Sequence, residues 1–154
     1  MVWAFAFDNI YNQPLSAGQS AQWLVQNAPT GATLGQEGWD ETEPVGLVNG
    51  MVPADHHKDF TNVSFNIYDD RPGPTEFDYF KGLFQQTDYI VLNSNRLFKT
   101  IPKLTWRYPV AAKYYKLRFA GKLGYQRVST GHGIPSIFAR NIDAYTADER
   151  DTYY

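Results

Sequence analysis

The chain has 154 residues, enough for one domain with a real core, and its 43% hydrophobic and 19% charged residues exclude a disordered or fibrous protein. Fourteen basic against 16 acidic residues give a net charge of -2, with no basic stripe that could track a phosphate backbone, so nucleic acid is not expected as a partner. The absence of cysteine excludes a disulfide framework, a Cys-ligated zinc and a thiol nucleophile, but leaves the compartment open.

Residues 1–7 are apolar but too short to span a bilayer, and they lack the basic start and cleavage site of a signal peptide. Residues 1–14 read as an apolar arm. A buried first strand and the last turns of a membrane helix are both compatible with it. Residues 16–28 read as a helix: Ala17, Ala21, Leu24 and Ala28 recur at helical spacing, and Ser16 stands where an N-cap would. A short strand is expected over 32–37, then an irregular Gly-, Pro- and acid-rich excursion over 38–61.

Residues 63–68 alternate apolar and polar, as a strand with one face in the core does. Pro74 suits the first turn of a helix that places Phe77, Phe80 and Phe84 on one face. The continuous apolar run over 88–92 has the pattern of a strand covered on both faces, and is expected at the centre of the sheet. A polar loop over 93–102 leads to a helix over 107–120 that carries Val110, Tyr114 and Leu117, closed by Gly121. Strands over 125–129 and 134–140, joined by a turn at 130–133, make a C-terminal hairpin. The whole predicts an α/β domain over 15–142, a mainly parallel sheet with helices packed on its faces, followed by a polar tail over 143–154 that frays.

In a parallel sheet the segments that follow the strands share one edge, where open α/β sheets bind ligands. That edge gathers Trp39 and Asp40, then Asp69, then Asn93, Asn95 and Arg96, which are the ligand-binding candidates. Tryptophan offers a flat face to a sugar ring, while Asp, Asn and Arg supply paired hydrogen bonds. Against this stands the ordinary role of such residues as helix caps and loop anchors, which is the more frequent one.

His56 and His57, flanked by Asp55 and Asp59, are poorly spaced for zinc because adjacent side chains diverge; a solvated loop is the better account. Asp69 and Asp70 are likewise ordinary at a strand exit rather than a cation site. No nucleophile elbow or phosphate-binding glycine loop is present, and His132 between two glycines fits a turn better than a base. No metal, cofactor or catalytic residue is assigned.

Several blocks carry a family resemblance: Phe7-x-x-Ile10-Tyr11-x-x-Pro14, Trp23 through Gly31, Trp39-Asp40, Asp88-Tyr-Ile-Val-Leu-Asn-Ser-Asn-Arg-Leu97, Ile101-Pro102, Arg107-Tyr-Pro109, Tyr114-Tyr115 and Phe119-x-Gly121-x-Leu-Gly124-Tyr125. In order and over nearly the whole chain, they resemble the soluble tail of YYY-type multi-spanning membrane proteins of archaea and Chloroflexi. Those proteins are similar to lipid-carrier-dependent glycosyltransferases of the protein mannosyltransferase type. The resemblance implies a domain on the extracytoplasmic face, beside a membrane-embedded site that uses a polyprenyl-phosphate sugar. Its partners would be the membrane-embedded part of the parent or a neighbouring subunit, with glycan or lipid-linked sugar as ligand.

Catalytic acids in that family lie in loops between membrane helices, so none carries over to this chain. Family members continue past the acidic stretch into an Asp-His-Pro turn and an apolar strand, which this sequence lacks; a trimmed fragment and a divergent stand-alone protein are the two expectations. The function expected is therefore an accessory, non-catalytic domain recognising glycan or acceptor. The alternatives are a structural interaction module without ligand and, more weakly, a hydrolase using Asp40, Asp69 and His132.

Overall fold

The computed structural model describes residues 2–12, 14–38, 42–68, 73–92 and 95–132, together with three two-residue strands at 136–137, 140–141 and 152–153. Parallel strands β1 (Thr33–Glu37), β2 (Thr61–Phe65) and β3 (Tyr89–Val91) form one sheet in the order β2-β1-β3. Gly35 of β1 pairs with Val63 of β2 on one side and with Ile90 of β3 on the other. This is an α/β fold. The central strand is β1, and β3, expected at the centre from its apolar run, is an edge strand among the described strands. Ile90 and Val91 are nevertheless buried, because helices cover both faces of the sheet, and that coverage is what the apolar run records.

Alternation along β1 sends successive side chains to opposite faces. Gly35 and Glu37 face the layer of α4 (Gly73–Gln86) and α6 (Pro109–Phe119), where Phe65, Phe80, Leu83, Ile90, Ala111 and Tyr114 form the larger core. Leu34 faces α2 (Ser16–Asn27), packing with Leu24, Ala28 and Val91. Each fully buried large apolar side chain contributes ~1.5–3 kcal/mol, so the Phe65 side of the sheet carries most of the cohesion. Phe80 and Phe84 stack on the Tyr114 ring, with centroids 5.5 and 5.6 Å away. Phe77, expected on the same face, is 54% exposed, because the inward stripe of α4 runs through Glu76, Phe80 and Leu83.

Helix α2 begins where expected, but Leu15 is its N-cap and Ser16 its first helical residue, so Ser16 makes no side-chain cap. The excursion after β1 is not wholly irregular: it contains α3 (Val45–Asn49), whose Val48 packs on Ala21 and Val25, and a 3-10 turn at Ala54–His56. The polar stretch after β3 is also helical, as α5 (Asn95–Thr100) and a 3-10 turn at Ile101–Lys103. Leu97 and Ile101 are buried, four residues apart, which is the helical spacing that the polar neighbours obscure.

Residues 125–130 form no ladder, and the hairpin sits further along, between β5 (Ser136–Ile137) and β6 (Arg140–Asn141). Gly131–His132 is not a turn but β4, antiparallel to β7 (Thr152–Tyr153), so part of the stretch expected to fray is paired. A Cβ on Gly131 would collide with the Ser16 carbonyl, so glycine there lets β4 lie against the start of α2. The N-terminal arm is helix α1 (Val2–Asp8), with Phe5 63% exposed. Among the described residues, no helix is long and apolar enough to cross a membrane.

Candidate functional site

In the order β2-β1-β3 the chain leaves β1 to one side for β2 and then returns across it to β3. The segments that leave β1 and β3 at their carboxyl ends go to opposite faces, α3 to the side of α2 and α5 to the Phe65 core, and a switch of this kind is where open α/β sheets commonly bind ligands. Glu37 closes β1 there, the first turn of α4 brings Glu76 to the same edge, and the first turn of α5 brings Asn95 and Arg96. Asn95 is half-buried and Arg96 exposed. Of the residues expected at this edge, Trp39, Asp40, Asp69 and Asn93 lie outside the described residues, as do Asp70, Arg71 and Ser94. The β3-to-α5 junction places Asn95 and Arg96 where the sequence expected them.

Glu37 is 2% exposed, and its Oε1 accepts a hydrogen bond from the Tyr115 hydroxyl. Burial, then the negative charge of Glu37 and the hydrogen bond to it, hold the Tyr115 hydroxyl far above the ordinary tyrosine range. Tyr114 is raised well above its ordinary value for the same leading reason, burial, with Glu37 adding to it and Arg118 opposing it. Tyr68 is raised by burial and by the nearby Tyr108 and Glu37, and its ring meets that of Tyr108 edge-on at 5.4 Å. A buried carboxyl so surrounded by tyrosine rings is costly unless hydrogen-bonded, and Tyr115 supplies a donor.

On the opposite face a second polar network ties the excursion to the sheet. Gln36 donates from Nε2 to Asn62 Oδ1 at 2.6 Å, and its Oε1 accepts from the Glu43 backbone N–H at 2.9 Å. Ser20 Oγ on α2 lies 2.5 Å from Glu43 Oε1 and 3.0 Å from the Ala17 carbonyl. Glu43 Oε2 is buried without a hydrogen-bond partner among the described residues. Burial pushes the Glu43 carboxyl up from 4.5 to about 7, against the lowering effect of Ser20. The contact with Ser20 serves either state: the hydroxyl donates to the carboxylate, or the carboxyl proton bridges while the hydroxyl turns to Ala17.

His57 Nε2 lies 2.9 Å from the Val52 carbonyl, while His56 Nε2 is 3.7 Å from Asp55 in an exposed turn. No group of three metal-ligating side chains occurs among the described residues. The hydrolase expectation needs Asp40 and Asp69, which lie outside the described residues.

Sequence reading passed over Glu37, Glu43 and Glu76 as site residues. The usable signal for Glu37 was the β1 alternation: the face that buries Gly35 must bury the residue two further on. Glu43 had none, because its burial depends on α3 folding back onto α2. The chain matches no family model, no curated protein and no solved structure in the comparisons made.

Proposed function

We propose that this chain is an accessory, non-catalytic, extracytoplasmic domain of a membrane glycosyltransferase-like protein, recognising glycan or acceptor at the carboxyl edge of its parallel sheet. The observation that carries this reading is the α5 junction. The segment Asp88 to Leu97, the most specific part of the family resemblance, contains β3 and the first turn of α5, where Asn95 is half-buried and Arg96 exposed. A guanidinium and a carboxamide held on the start of a helix suit neighbouring hydroxyls of a sugar ring. At the same end of the sheet the Tyr115 hydroxyl donates to Glu37 and fixes the last residue of β1.

Two experiments test the two halves of the reading. Membrane fractionation of the native host, followed by protease treatment of intact cells, should find the chain with membranes and accessible from outside. Recovery in the cytoplasmic fraction would refute the location. A glycan array should give signals that disappear in Arg96→Ala, and an array silent across all glycans would remove the recognition role.

A second reading, a module that docks on a neighbouring protein without ligand, is favoured by the large apolar side chains left in solvent. Trp106 is 80% exposed, and Leu47 and Met51 are exposed after β1. Exposed apolar side chains that come together as a patch mark contact surfaces. Cross-linking to the parent's membrane part that is lost in Trp106→Ser, with saccharide binding absent, would favour this alternative.

A further inference from the structure

The near-balanced charge of the whole chain conceals a segregation that the totals do not show. Residues 89–142, which hold β3, α5, the 3-10 turn after it and α6, carry ten of the 14 basic residues and none of the 16 acidic ones. Helices α5 and α6 both pack against that 3-10 turn, so these elements form one lobe. Glu37, the carboxyl that meets α6 at Tyr115, is buried and does not offset the positive charge at the surface. Asp88 lines a different cavity, with Arg118 and Arg127.

The outer side of α6 sets this charge on apolar ground. Two grooves adjoin along the helix and share Lys113 and Leu117. One, of about 370 Å³ between α4 and α6, is walled by Phe77, Val110 and Leu123 and lined also by Lys81. The other, of about 850 Å³, has Ala112, Phe119 and Ala120 in its wall and is lined also by Lys116 and Lys122. No acidic residue lines either groove among the described residues. The four lysines are exposed, and none makes a hydrogen bond or ion pair with another side chain among the described residues, Asp78 one turn before Lys81 included. Phe77 is 54% and Phe119 50% exposed, and Trp106 stands in solvent between Thr105 and Pro109, which line the larger groove.

Unpaired lysines interspersed with exposed aromatic rings suit the surface of an anionic bilayer. The ammonium groups reach the headgroup phosphates on their long stems, while Phe and Trp enter the boundary of the acyl chains. A nucleic-acid strand fits less well, because the groove walls are largely aliphatic where bases need planar faces to stack on. A protein helix lying in one groove would leave the rest of the positive charge unused, since it extends over both grooves and on to the exposed Lys103. The acidic remainder of the chain is repelled by an anionic surface and so keeps this side turned toward it.

We infer that the α6 side of this lobe docks on an anionic lipid surface, with Lys81, Lys113, Lys116 and Lys122 at the headgroups and Trp106 and Phe119 in the acyl boundary. The inference does not rest on saccharide recognition at the sheet edge.

The test is sedimentation of the full chain with two kinds of vesicle, phosphatidylcholine alone and equal parts phosphatidylcholine and phosphatidylglycerol. At about 0.05 M salt the chain should pellet with the anionic vesicles at least about tenfold more tightly than with the neutral ones, and about 0.5 M salt should release it. A lysine close to an anionic surface contributes about fivefold, so joint Lys113→Gln and Lys116→Gln should weaken binding at least about tenfold with an unchanged urea midpoint. Should that variant unfold, joint Lys81→Gln and Lys122→Gln carries the same expectation. Tryptophan emission should move to the blue on binding, and Trp106→Phe should remove most of that change. No pelleting with anionic vesicles, equal binding to neutral ones, or binding indifferent to salt or to the lysine substitutions would each overturn the assignment. Tighter binding to an oligothymidylate than to the anionic vesicles would also overturn it and mark a nucleic-acid surface instead.

Discussion

The Tyr115 hydroxyl on α6 donates to Oε1 of Glu37, the last residue of β1, across 78 positions of sequence. This bond joins the last long helix to the central strand at the edge where a ligand is proposed to bind. Tyr115→Phe removes the donor without changing the packing volume and leaves a buried carboxyl oxygen without it. Destabilisation of ~1–3 kcal/mol is expected, read as a lower urea midpoint at unchanged slope. A midpoint equal to that of the parent chain would show that the bond contributes nothing.

Glu43 makes stability depend on pH. Its folded carboxyl, at about 7, holds the proton more tightly than the unfolded chain at 4.5. The contribution is therefore fully present below pH 4.5 and is lost as pH rises through about 7. The loss is at most about 3 kcal/mol, from the size of the shift. Glu43→Gln keeps the shape and removes the titration, so the difference between the two unfolding curves, measured from pH 4 to pH 8 in steps of about one unit, should change across this window. A constant difference would contradict a buried, proton-holding Glu43.

Gly35 is the point where β1 touches the aromatic layer. A Cβ there would lie 2.7 Å from Phe65 Cζ and 2.7 Å from Thr87 Cγ2. Gly35→Ala should destabilise the fold by ~1–3 kcal/mol through overpacking, measured by thermal or urea unfolding. An unchanged midpoint would mean that the sheet yields without cost.

Much of this architecture can be read from the chain because burial writes itself as spacing. The alternation over 63–68, the helical recurrence through Ala21 and Leu24, and the apolar run at 88–92 each identify an element, with edges displaced by up to three residues, as at β2, which ends at Phe65. Strand order cannot be read in this way. Helix-covered β3 has the same apolar signature at an edge as at a centre, and the slot of β1 is fixed by pairing on both sides, which its Gly-Gln-Glu composition does not announce. Helix α5 and the 3-10 turn after it are hidden because their buried residues, Leu97 and Ile101, are diluted by polar ones. At the site, topology brought Asn95 and Arg96 to the expected edge, whereas the buried glutamates depend on long-range partners, Tyr115 for Glu37 and Ser20 for Glu43.

Arg96 separates folding from recognition. It is exposed, so Arg96→Ala should change stability by no more than ~0.5 kcal/mol while abolishing saccharide responses at the α5 edge. Unfolding curves and binding measured on the same sample check both halves, and a large loss of stability would make Arg96 a structural residue instead.

The most direct measurement is a two-dimensional amide NMR titration of the intact chain with a panel of neutral and acidic saccharides. Proposed recognition at the sheet edge predicts shifts at Asn95, Arg96 and the end of β1 around Glu37, all lost in Arg96→Ala. A spectrum that stays unmoved at that edge through the whole panel would contradict the proposed function.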